Sequence, residues 1–212
     1  DKPLLLESPD KDARFNFPPR SLFYPVRLSV SQEKISDAMD LEEIGSAYRL
    51  GPAGLYCRHP FTVSLRVPDE EEKIAKNIAV YRRNDRSWKF LGKNTDGGAG
   101  WISTESRDSG LFALLRDRKA PKLRTRHREG NIFSDPRPLL TVMATDSGSG
   151  IDYETLEVKL DEERVPAEYH PYRKQLSYRP REPLLSGDHL LKVRVSDRAG
   201  NMTSLFSSFR VK

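Results

Sequence analysis

Short stretches in which apolar and polar residues alternate recur along the chain. Residues 26–30, 61–67 and 191–195 show the clearest alternation, and residues 78–81, 140–143, 156–160 and 209–211 add further short runs. A period of two places every second side chain on the same face of an extended strand, so the pattern is typical of half-buried strands. There are only two candidates for helix. Residues 33–44 could form a short helix or a polar loop, and residues 70–76 could form one turn. Strands separated by Gly, Pro, Asn and Asp predict an all-β fold of the β-sandwich class.

Composition excludes several protein classes. The 212 residues are 36% hydrophobic and 32% charged, but nine Phe, eight Tyr and two Trp are too many aromatic residues for a disordered chain. The longest apolar run, residues 111–115, is far shorter than the about 20 residues of a membrane-spanning helix. A single cysteine cannot form an internal disulfide. The net charge of +5 comes from interspersed charges of both signs, which argues against a nucleic-acid partner.

A basic segment divides the chain into two halves. Residues 116–128 contain seven basic residues, one acidic residue and Pro121, and they lack an apolar period. We therefore expect a solvated linker and irregular entry here, with one domain over residues 1–120 and a second over residues 121–212. A length of about 100 residues is ordinary for one domain. The first residues lack the apolar stretch of a signal peptide, so we expect a mature or excised piece of a longer protein.

The second half carries several turn motifs in a characteristic order. An Asp-x-Gly-Ser-Gly-Ile-Asp turn covers residues 146–152, Asp161 follows a predicted strand, a Leu-x-x-Gly-x-His turn ends at His189, and an Asp-x-Ala-Gly-Asn turn ends at Asn201. This order resembles the immunoglobulin-like modules of exported bacterial proteins. The resemblance implies an immunoglobulin-like β-sandwich over residues 121–212 and an exported setting, in the periplasm or at the cell surface.

Three aspartates of these turns admit two interpretations. The carboxylates of Asp146, Asp152 and Asp197 can accept hydrogen bonds from turn backbone N–H groups. The alternative is calcium, which prefers clustered carboxylate and carbonyl oxygens. Because the spacing of an EF-hand is absent, the metal interpretation of Asp146, Asp152 and Asp197 depends on composition alone.

The first half has a looser but recognisable order of motifs. A Pro-Pro-x-x-Leu opening ends at Leu22, a Gly-Pro pair begins at Gly51, and a Trp-x-x-Leu-Gly strand begins at Trp88. This order is similar to the ZU-type sandwich of netrin receptors, ankyrins and tight-junction proteins, and to modules beside immunoglobulin-like domains in exported bacterial proteins, including lysostaphin-type peptidases. Some members of the fold family cut their own backbone with a Ser hydroxyl. Here Ala113 and Leu111 stand where those members carry Ser and His, so we expect no self-cleavage.

Two groups of aromatic residues could stack on a sugar ring, because carbohydrate sites often present a flat aromatic side chain. One group is Trp88 and Trp101, which flank the Gly-rich loop of residues 94–100 and are also predicted to pair across neighbouring strands in the core. The other group is Tyr169, Tyr172 and Tyr178, which lie near prolines. These five residues are the candidate ligand-binding side chains.

No catalytic constellation emerges from the sequence. Cys57 and His59 could share a strand face and bind zinc, but two ligands do not complete a site. His189 is predicted to be a hydrogen-bonded residue at a strand start, since the Gly-x-Ser-x-Gly elbow of a serine hydrolase is missing. We therefore predict two tandem β-sandwiches without enzymatic activity, cofactor or membrane span.

The predicted function is that of an accessory module of an exported bacterial protein, acting as a spacer, docking or binding unit. Two alternatives stay open. The chain could bind carbohydrate or peptidoglycan, or it could be part of a cell-wall hydrolase whose catalytic domain lies outside this chain. A cell-wall polymer or a neighbouring domain of the same polypeptide is the expected partner, and the basic segment could contact an anionic polymer.

Overall fold

The chain divides into two compact units, Asp1–Arg118 and Lys119–Lys212. The computed structural model describes residues 2–35, 37–72, 76–85, 87–94 and 98–212. The first unit contains nine strands and one short helix in the described residues: β1 (Leu4–Glu7), β2 (Ala13–Phe17), β3 (Ser29–Glu33), β4 (Glu42–Gly51), β5 (Tyr56–Arg66), α1 (Asp69–Glu72), β6 (Ile78–Asn84), β7 (Ser87–Gly92), β8 (Trp101–Asp108) and β9 (Gly110–Arg116).

The strands of the first unit form two sheets, with the orders β1-β2-β5-β8 and β3-β4-β9-β6-β7. Period-two alternation sends every second side chain of these strands into the core. Phe15 of β2 and Phe61 of β5 meet Phe112 of β9 there, with ring centroids of Phe15 and Phe112 5.7 Å apart. The cluster therefore joins residues of both sheets, as the β-sandwich prediction requires.

The five-stranded sheet of the first unit also buries apolar side chains on its second face. Along β6, Val80 belongs to the main core, whereas its neighbour Tyr81 belongs to a separate cluster with Trp88 and Ala38. The described part of the β3–β4 connection covers this face, and the Asp37 carbonyl accepts a hydrogen bond from Trp88 Nε1 at 3.0 Å. Within residues 33–44 the described part is thus strand ends and loop, and residue 36 lies outside the described residues.

The second unit has nine strands and one short 3₁₀ helix among its residues: β10 (Lys122–Thr125), β11 (Asn131–Phe133), β12 (Leu140–Thr145), β13 (Ile151–Leu160), β14 (Glu163–Arg164), β15 (Glu168–His170), the 3₁₀ helix (Pro171–Arg173), β16 (Gln175–Tyr178), β17 (Gly187–Asp197) and β18 (Met202–Val211). Its two sheets have the orders β10-β12-β16-β15 and β11-β18-β17-β13-β14.

These orders match the immunoglobulin fold, in which strands A, B, E and D form one sheet and G, F and C form the other, with C′ beside C in some members. β10, β12, β16 and β15 occupy the A, B, E and D places, and β18, β17, β13 and β14 occupy the G, F, C and C′ places. β11 pairs in parallel with β18, so the first strand crosses from one sheet to the other. Leu176 of the first sheet and Val158, Val193 and Phe209 of the second share the core.

The all-β prediction is confirmed, but the ends of two predicted segments were wrong. β3 begins at Ser29 rather than at residue 26. The basic segment is not a linker throughout, because Arg116 ends β9 and Lys122 begins β10. Arg116 is only 4% exposed, and its guanidinium pairs with Glu42 at 3.1 Å and with Glu71. These ion pairs neutralise the buried guanidinium. The basic run in the sequence instead predicts that Arg116 is solvent-exposed.

Two other predicted segments fall partly outside the described residues. α1 supplies the described start of the turn expected at residues 70–76, and residues 73–75 lie outside. Residues 95–97 of the Gly-rich loop also lie outside the described residues. In the part of the chain that the structure describes, no helix has the length and apolar character needed to cross a membrane.

Candidate functional site

His189 lies at the start of β17 and joins three segments of the second unit. Its Nδ1 lies 2.6 Å from Oδ2 of Asp161, in the turn between β13 and β14, and its Nε2 lies 2.9 Å from the carbonyl oxygen of Leu185. The ring stacks on Phe209 of β18 at a centroid distance of 5.4 Å. The second oxygen of Asp161 accepts a hydrogen bond from the Leu190 N–H at 2.8 Å. The aspartate and the histidine of two separate sequence motifs therefore contact each other.

The surroundings of His189 favour its charged form. The side chain is 9% exposed. Burial opposes protonation, but the hydrogen bonds to Asp161 and to the Leu185 carbonyl, together with the charges of Asp161 and Asp188, outweigh it, so that the pKa of His189 is raised. The predicted role of a hydrogen-bonded residue at a strand start agrees with this geometry.

A groove of about 580 Å³, here called the His189 groove, opens beside this histidine. The irregular residues 179–186 and the β13–β14 turn supply most of its wall. Its apolar lining includes Tyr178, Val165, Pro180 and Pro183, and its charged lining includes Glu163, Arg181 and Glu182. An apolar surface with a few polar groups is the usual composition of a small-ligand site.

The structure separates the three tyrosines predicted as ligand-binding residues. Tyr178 lines the His189 groove. Tyr169, on β15, instead packs against Tyr153, with ring centroids 4.5 Å apart and planes inclined at 35°. Tyr172, in the 3₁₀ helix, is fully exposed. Tyr153 was not among the predicted residues, because nothing in the spacing of β13 and β15 shows that these two rings meet.

The Tyr153–Tyr169 pair is partly desolvated. Burial, followed by the hydrogen bond and charge interaction with Tyr153, raises the pKa of Tyr169 to about 12. Tyr153 remains exposed at one side of the pair. The Tyr169 phenol therefore stays protonated at neutral pH, and the pair can offer hydroxyl groups and ring faces to a ligand.

The two predicted tryptophans do not pair with each other. Trp88 lies on β7 opposite Arg83, whereas Trp101 lies on β8 opposite Arg66, in the other sheet of the first unit. The pairing prediction was wrong because the intervening chain passes from one sheet to the other. Trp88 is 7% exposed and belongs to the second cluster of the first unit.

Trp101 is partly exposed, but a neighbouring cation occupies one face of its ring. The guanidinium carbon of Arg14 lies 4.1 Å from the ring centroid, which is within the range of a cation–π contact. The ligand-binding role of both tryptophans stays a prediction.

The three aspartates predicted as turn caps or calcium ligands all cap turns. Asp146 Oδ2 accepts hydrogen bonds from the N–H groups of Gly148 and Gly150 at 3.0 and 2.8 Å. Asp197 Oδ1 accepts from the N–H groups of Gly200 and Asn201 at 2.7 and 2.8 Å. Gly150 has a φ of +87°, which few other residues adopt without strain.

Asp152 makes a smaller turn of its own. Its Oδ1 accepts a hydrogen bond from the Glu154 N–H at 3.2 Å. The carboxylates of Asp146 and Asp197 approach each other within 4.8 Å, and Asp152 is not part of this group. The calcium interpretation of Asp146, Asp152 and Asp197 therefore stays a prediction, with two of its three ligands brought together.

A histidine–serine contact lies elsewhere in the second unit and was not predicted. His127 Nε2 lies 3.1 Å from Oγ of Ser207 on β18. Burial lowers the pKa of His127, whose ring packs edge-on against Phe133 and Phe209. Ser207 is 2% exposed, so its hydroxyl faces the protein interior and a substrate could not reach it. The contact satisfies a buried hydroxyl rather than forming a nucleophile.

The strand that carries Cys57 does not place His59 beside it. The register of β5 shifts between Tyr56 and Phe61, so residues two apart no longer share a face. Cys57 is buried in the core, whereas His59 is exposed. Burial raises the pKa of the Cys57 thiol, which keeps it protonated. The two side chains therefore do not form the start of a zinc site.

An exposed aromatic surface in the first unit was also missed. Phe23 and Tyr24 are 54% and 64% exposed and line a groove of about 390 Å³ with Leu4 and Pro18. Their segment has no period-two alternation, so the pattern that predicts strands does not mark it. The Arg58 guanidinium lies 5.1 Å from the Phe23 ring centroid.

No protein-family profile and no curated protein sequence matches this chain. Among solved structures, it is similar to CopC from Methylosinus trichosporium OB3b, with a TM-score of 0.36 and 16% identity over 43% of this chain and 93% of that one. It is also similar to the fibronectin(III)-like modules of Clostridium thermocellum CbhA, with a TM-score of 0.35 and 14% identity over 87% of this chain and 94% of that one.

Proposed function

We propose that the chain is a non-catalytic accessory module of an exported bacterial protein, acting as a spacer, docking or binding unit. The observation that carries this proposal is the hydrogen bonding of His189. Both of its ring nitrogens are hydrogen-bonded to acceptors, and both oxygens of Asp161 are engaged as well. A general base needs a free nitrogen within reach of the proton that it removes, so this pair is built for structure rather than for catalysis.

The buried Ser207 supports the same proposal. A serine nucleophile must be accessible to its substrate and adjacent to a base. Ser207 is adjacent to His127 but lies in the interior of the second unit. Ala113 is fully buried in β9 and has no hydroxyl. By resemblance to ZU-type domains, it stands where self-cleaving members carry their serine.

Incubation with cell-wall polymers tests the absence of catalysis. Purified chain would be mixed with insoluble peptidoglycan, and new reducing ends and free amino groups would be measured. We expect no release above a heat-denatured sample. Release by the native chain would overturn the proposal, and its loss in Ser207→Ala or in His189→Gln would identify the site responsible.

The exported setting and the parent protein belong to the same proposal. We infer a ZU-type first domain, an immunoglobulin-like second domain and a catalytic or adhesive neighbour outside this chain, since the motif order resembles accessory regions of exported proteins such as lysostaphin-type peptidases. Fractionation of the source cells with an antibody against the chain tests this. Detection only in the cytosolic fraction would contradict it.

Carbohydrate binding at the His189 groove is a second candidate function. Tyr178 supplies an aromatic ring, and Glu163, Glu182 and Arg181 supply charged hydrogen-bonding groups in the same lining. Sugars are bound by such a combination, because a pyranose ring has an apolar face and a rim of hydroxyls. The groove therefore contains the kind of aromatic surface predicted from the tyrosines. Of the three predicted residues, Tyr178 lines it.

Co-sedimentation with insoluble peptidoglycan and cellulose tests this candidate. We expect Tyr178→Ala to lower the bound fraction about tenfold, while the matched variant Tyr172→Ala leaves it unchanged, because Tyr172 is fully exposed and does not line the groove. Loss of binding only in Tyr172→Ala would move the site to that tyrosine. Equal binding by the wild type and both variants, or no binding at all, would exclude the groove as a site for these polymers.

A further inference from the structure

His189 connects segments that are far apart in the sequence of the second unit. It reaches the β13–β14 turn through Asp161, residues 179–186 through the Leu185 carbonyl, and β18 through the Phe209 ring. Two of these three contacts are hydrogen bonds made by opposite nitrogens of one imidazole. A single ionisable side chain therefore contacts all three segments.

The hydrogen-bond partners fix the number of protons on this ring. An ionised carboxylate and a backbone carbonyl can only accept hydrogen bonds. A neutral imidazole has one N–H and one lone pair, so it can satisfy one of the two partners, and its lone pair then faces the other oxygen. The doubly protonated imidazolium is the only form of His189 that fits both contacts.

We propose that His189 is a pH-dependent clasp that holds Leu185 while its ring is protonated and releases it when the ring loses a proton. Because Leu185 belongs to the wall of the His189 groove, the clasp couples the shape of that groove to pH. The proposal goes beyond the accessory role and does not depend on what the groove binds.

The charged groups around the ring favour the closed clasp, because they favour the protonated ring. Asp161 faces His189 directly from the β13–β14 turn, and Asp188 precedes it in the chain. From β18, Arg210 pairs with Asp188 at 3.2 Å, and Phe209 presents only its ring.

The groove lining contains two further acidic side chains and one basic side chain. Glu163 comes from β14, and Glu182 and Arg181 come from residues 179–186. Carboxylates therefore outnumber cations among the charged groups named around the ring and the groove.

Loss of one proton should release Leu185 and not Asp161. A hydrogen bond to a charged carboxylate is stronger than one to a neutral carbonyl, so the remaining N–H stays on Nδ1. Asp161 is also fixed by the Leu190 N–H at 2.8 Å. Leu185 is 84% exposed, so little apolar contact holds it in place.

The release is confined to a few residues. On one side, the Leu184 N–H donates to the Pro136 carbonyl at 2.9 Å, and on the other the Ser186 hydroxyl donates to the Val211 carbonyl at 3.3 Å. These tethers keep the ends of the segment in place. The change expected is a local reorientation of Leu185 at the edge of the groove.

Nuclear magnetic resonance on the full labelled chain tests the clasp between about pH 5 and about pH 9. We expect the His189 ring to titrate with a midpoint above about 6.5, the ordinary value for histidine, and the Leu185 carbonyl ¹³C shift to follow with the same midpoint. In Asp161→Asn the midpoint of the ring should fall by about one pH unit. Because the Asn amide can donate to Nδ1 and leave the remaining N–H on Nε2, the Leu185 carbonyl shift should depend less on pH in this variant. His59→Gln, which changes an exposed histidine, is the matched control and should alter neither.

His189→Gln should abolish the pH dependence of the Leu185 shift in this range. Should this variant fail to fold, the shared midpoint in the wild type and the lowered ring midpoint in Asp161→Asn remain decisive. A His189 midpoint at or below about 6.5 would overturn the proposal. So would a Leu185 carbonyl shift that stays constant while the ring titrates.

Discussion

Asp161 and His189 are separated by 28 residues and hydrogen-bonded at 2.6 Å. The aspartate has a φ of +50° in the β13–β14 turn, a left-handed conformation that Asp and Asn adopt more readily than most residues. The position of Asp161 therefore depends on the turn, and His189 anchors this turn to β17. The Asp161 N–H also donates to the Leu190 carbonyl at 3.0 Å, which completes a reciprocal connection between the two segments.

The raised pKa of His189 predicts how the stability of the second unit changes with pH. A histidine whose pKa is higher in the folded than in the unfolded state binds its proton more tightly when folded. Its contribution is fully present below the unfolded pKa of about 6.5 and is lost as the pH rises through the higher folded pKa. We therefore expect the difference in free energy of unfolding between wild type and His189→Gln to shrink as pH rises above about 6.5.

Urea unfolding at several pH values measures this difference. Amide resonances of β17 report on the second unit alone. His127 has a lowered pKa because it is buried, so its effect has the opposite sign and lowers stability as the pH falls. The comparison with His189→Gln cancels that background. A difference that grows with pH would contradict the assigned protonation of His189.

Asp161→Asn isolates the charge of this contact from the geometry of its turn. Asn is compatible with the left-handed φ and can still accept the Leu190 N–H, but its amide NH2 faces His189 in place of the second carboxylate oxygen. The substitution therefore removes the negative charge and one acceptor and keeps the turn. We expect the second unit to lose about 1 kcal/mol of stability at pH 6, since the carboxylate is partly exposed. Asp188→Asn is the control, because its pair with Arg210 is mostly solvent-exposed. Thermal unfolding followed by circular dichroism should show a smaller loss for Asp188→Asn than for Asp161→Asn.

Asp197→Ala tests whether the predicted metal residues act as turn caps. Asp197 is 1% exposed and accepts hydrogen bonds from two backbone N–H groups and from the Asn201 side chain. Its removal leaves these donors without their acceptor, so we expect a loss of about 2–3 kcal/mol. The loss should be the same in calcium as in a chelator. A melting temperature of the wild type that rises with calcium, but not in Asp197→Ala, would instead support the metal interpretation.

Sequence reasoning identified the strands better than the contacts between them. The alternation at residues 191–195 shows which side chains of β17 face the core, because that pattern is local. The contact between Tyr153 and Tyr169 depends on how β13 and β15 are placed in different sheets, and no local pattern encodes it. The same limit explains why the predicted pairing of Trp88 and Trp101 is wrong, since the chain changes sheets between their strands.

Charge patterning failed at Arg116 for a related reason. In the sequence it begins a basic run, which usually marks a solvated segment. In the structure it ends β9, where a long-range pair of acids neutralises it. By contrast, the turn motifs at Asp146 and Asp197 were informative, because these carboxylates accept hydrogen bonds from N–H groups within four residues.

Arg116→Ala should therefore destabilise the first unit far more than removal of an exposed arginine. The substitution leaves Glu42 and Glu71 without the cation that they share, and breaking a buried pair costs about 3 kcal/mol. Arg118→Ala is the matched control: Arg118 also pairs with Glu42 but is 66% exposed, so the expected loss is below about 1 kcal/mol. Urea unfolding followed by tryptophan fluorescence measures both. Equal losses would show that burial of Arg116 has no energetic consequence.

Phe112→Ala should unfold the first unit at markedly lower denaturant concentration. Its ring is fully buried and contacts Phe15 and Phe61 edge-on or nearly so, at centroid distances of 5.7 and 6.3 Å. Truncation removes this burial and leaves a cavity between the sheets, for which a loss of about 3–5 kcal/mol is typical.

Both tryptophans of the chain, Trp88 and Trp101, lie in the first unit, so their fluorescence reports this transition without a contribution from the second. Phe23→Ala, which truncates a half-exposed ring, should shift the midpoint by much less. A similar shift in both variants would mean that Phe112 is not a central residue of this core.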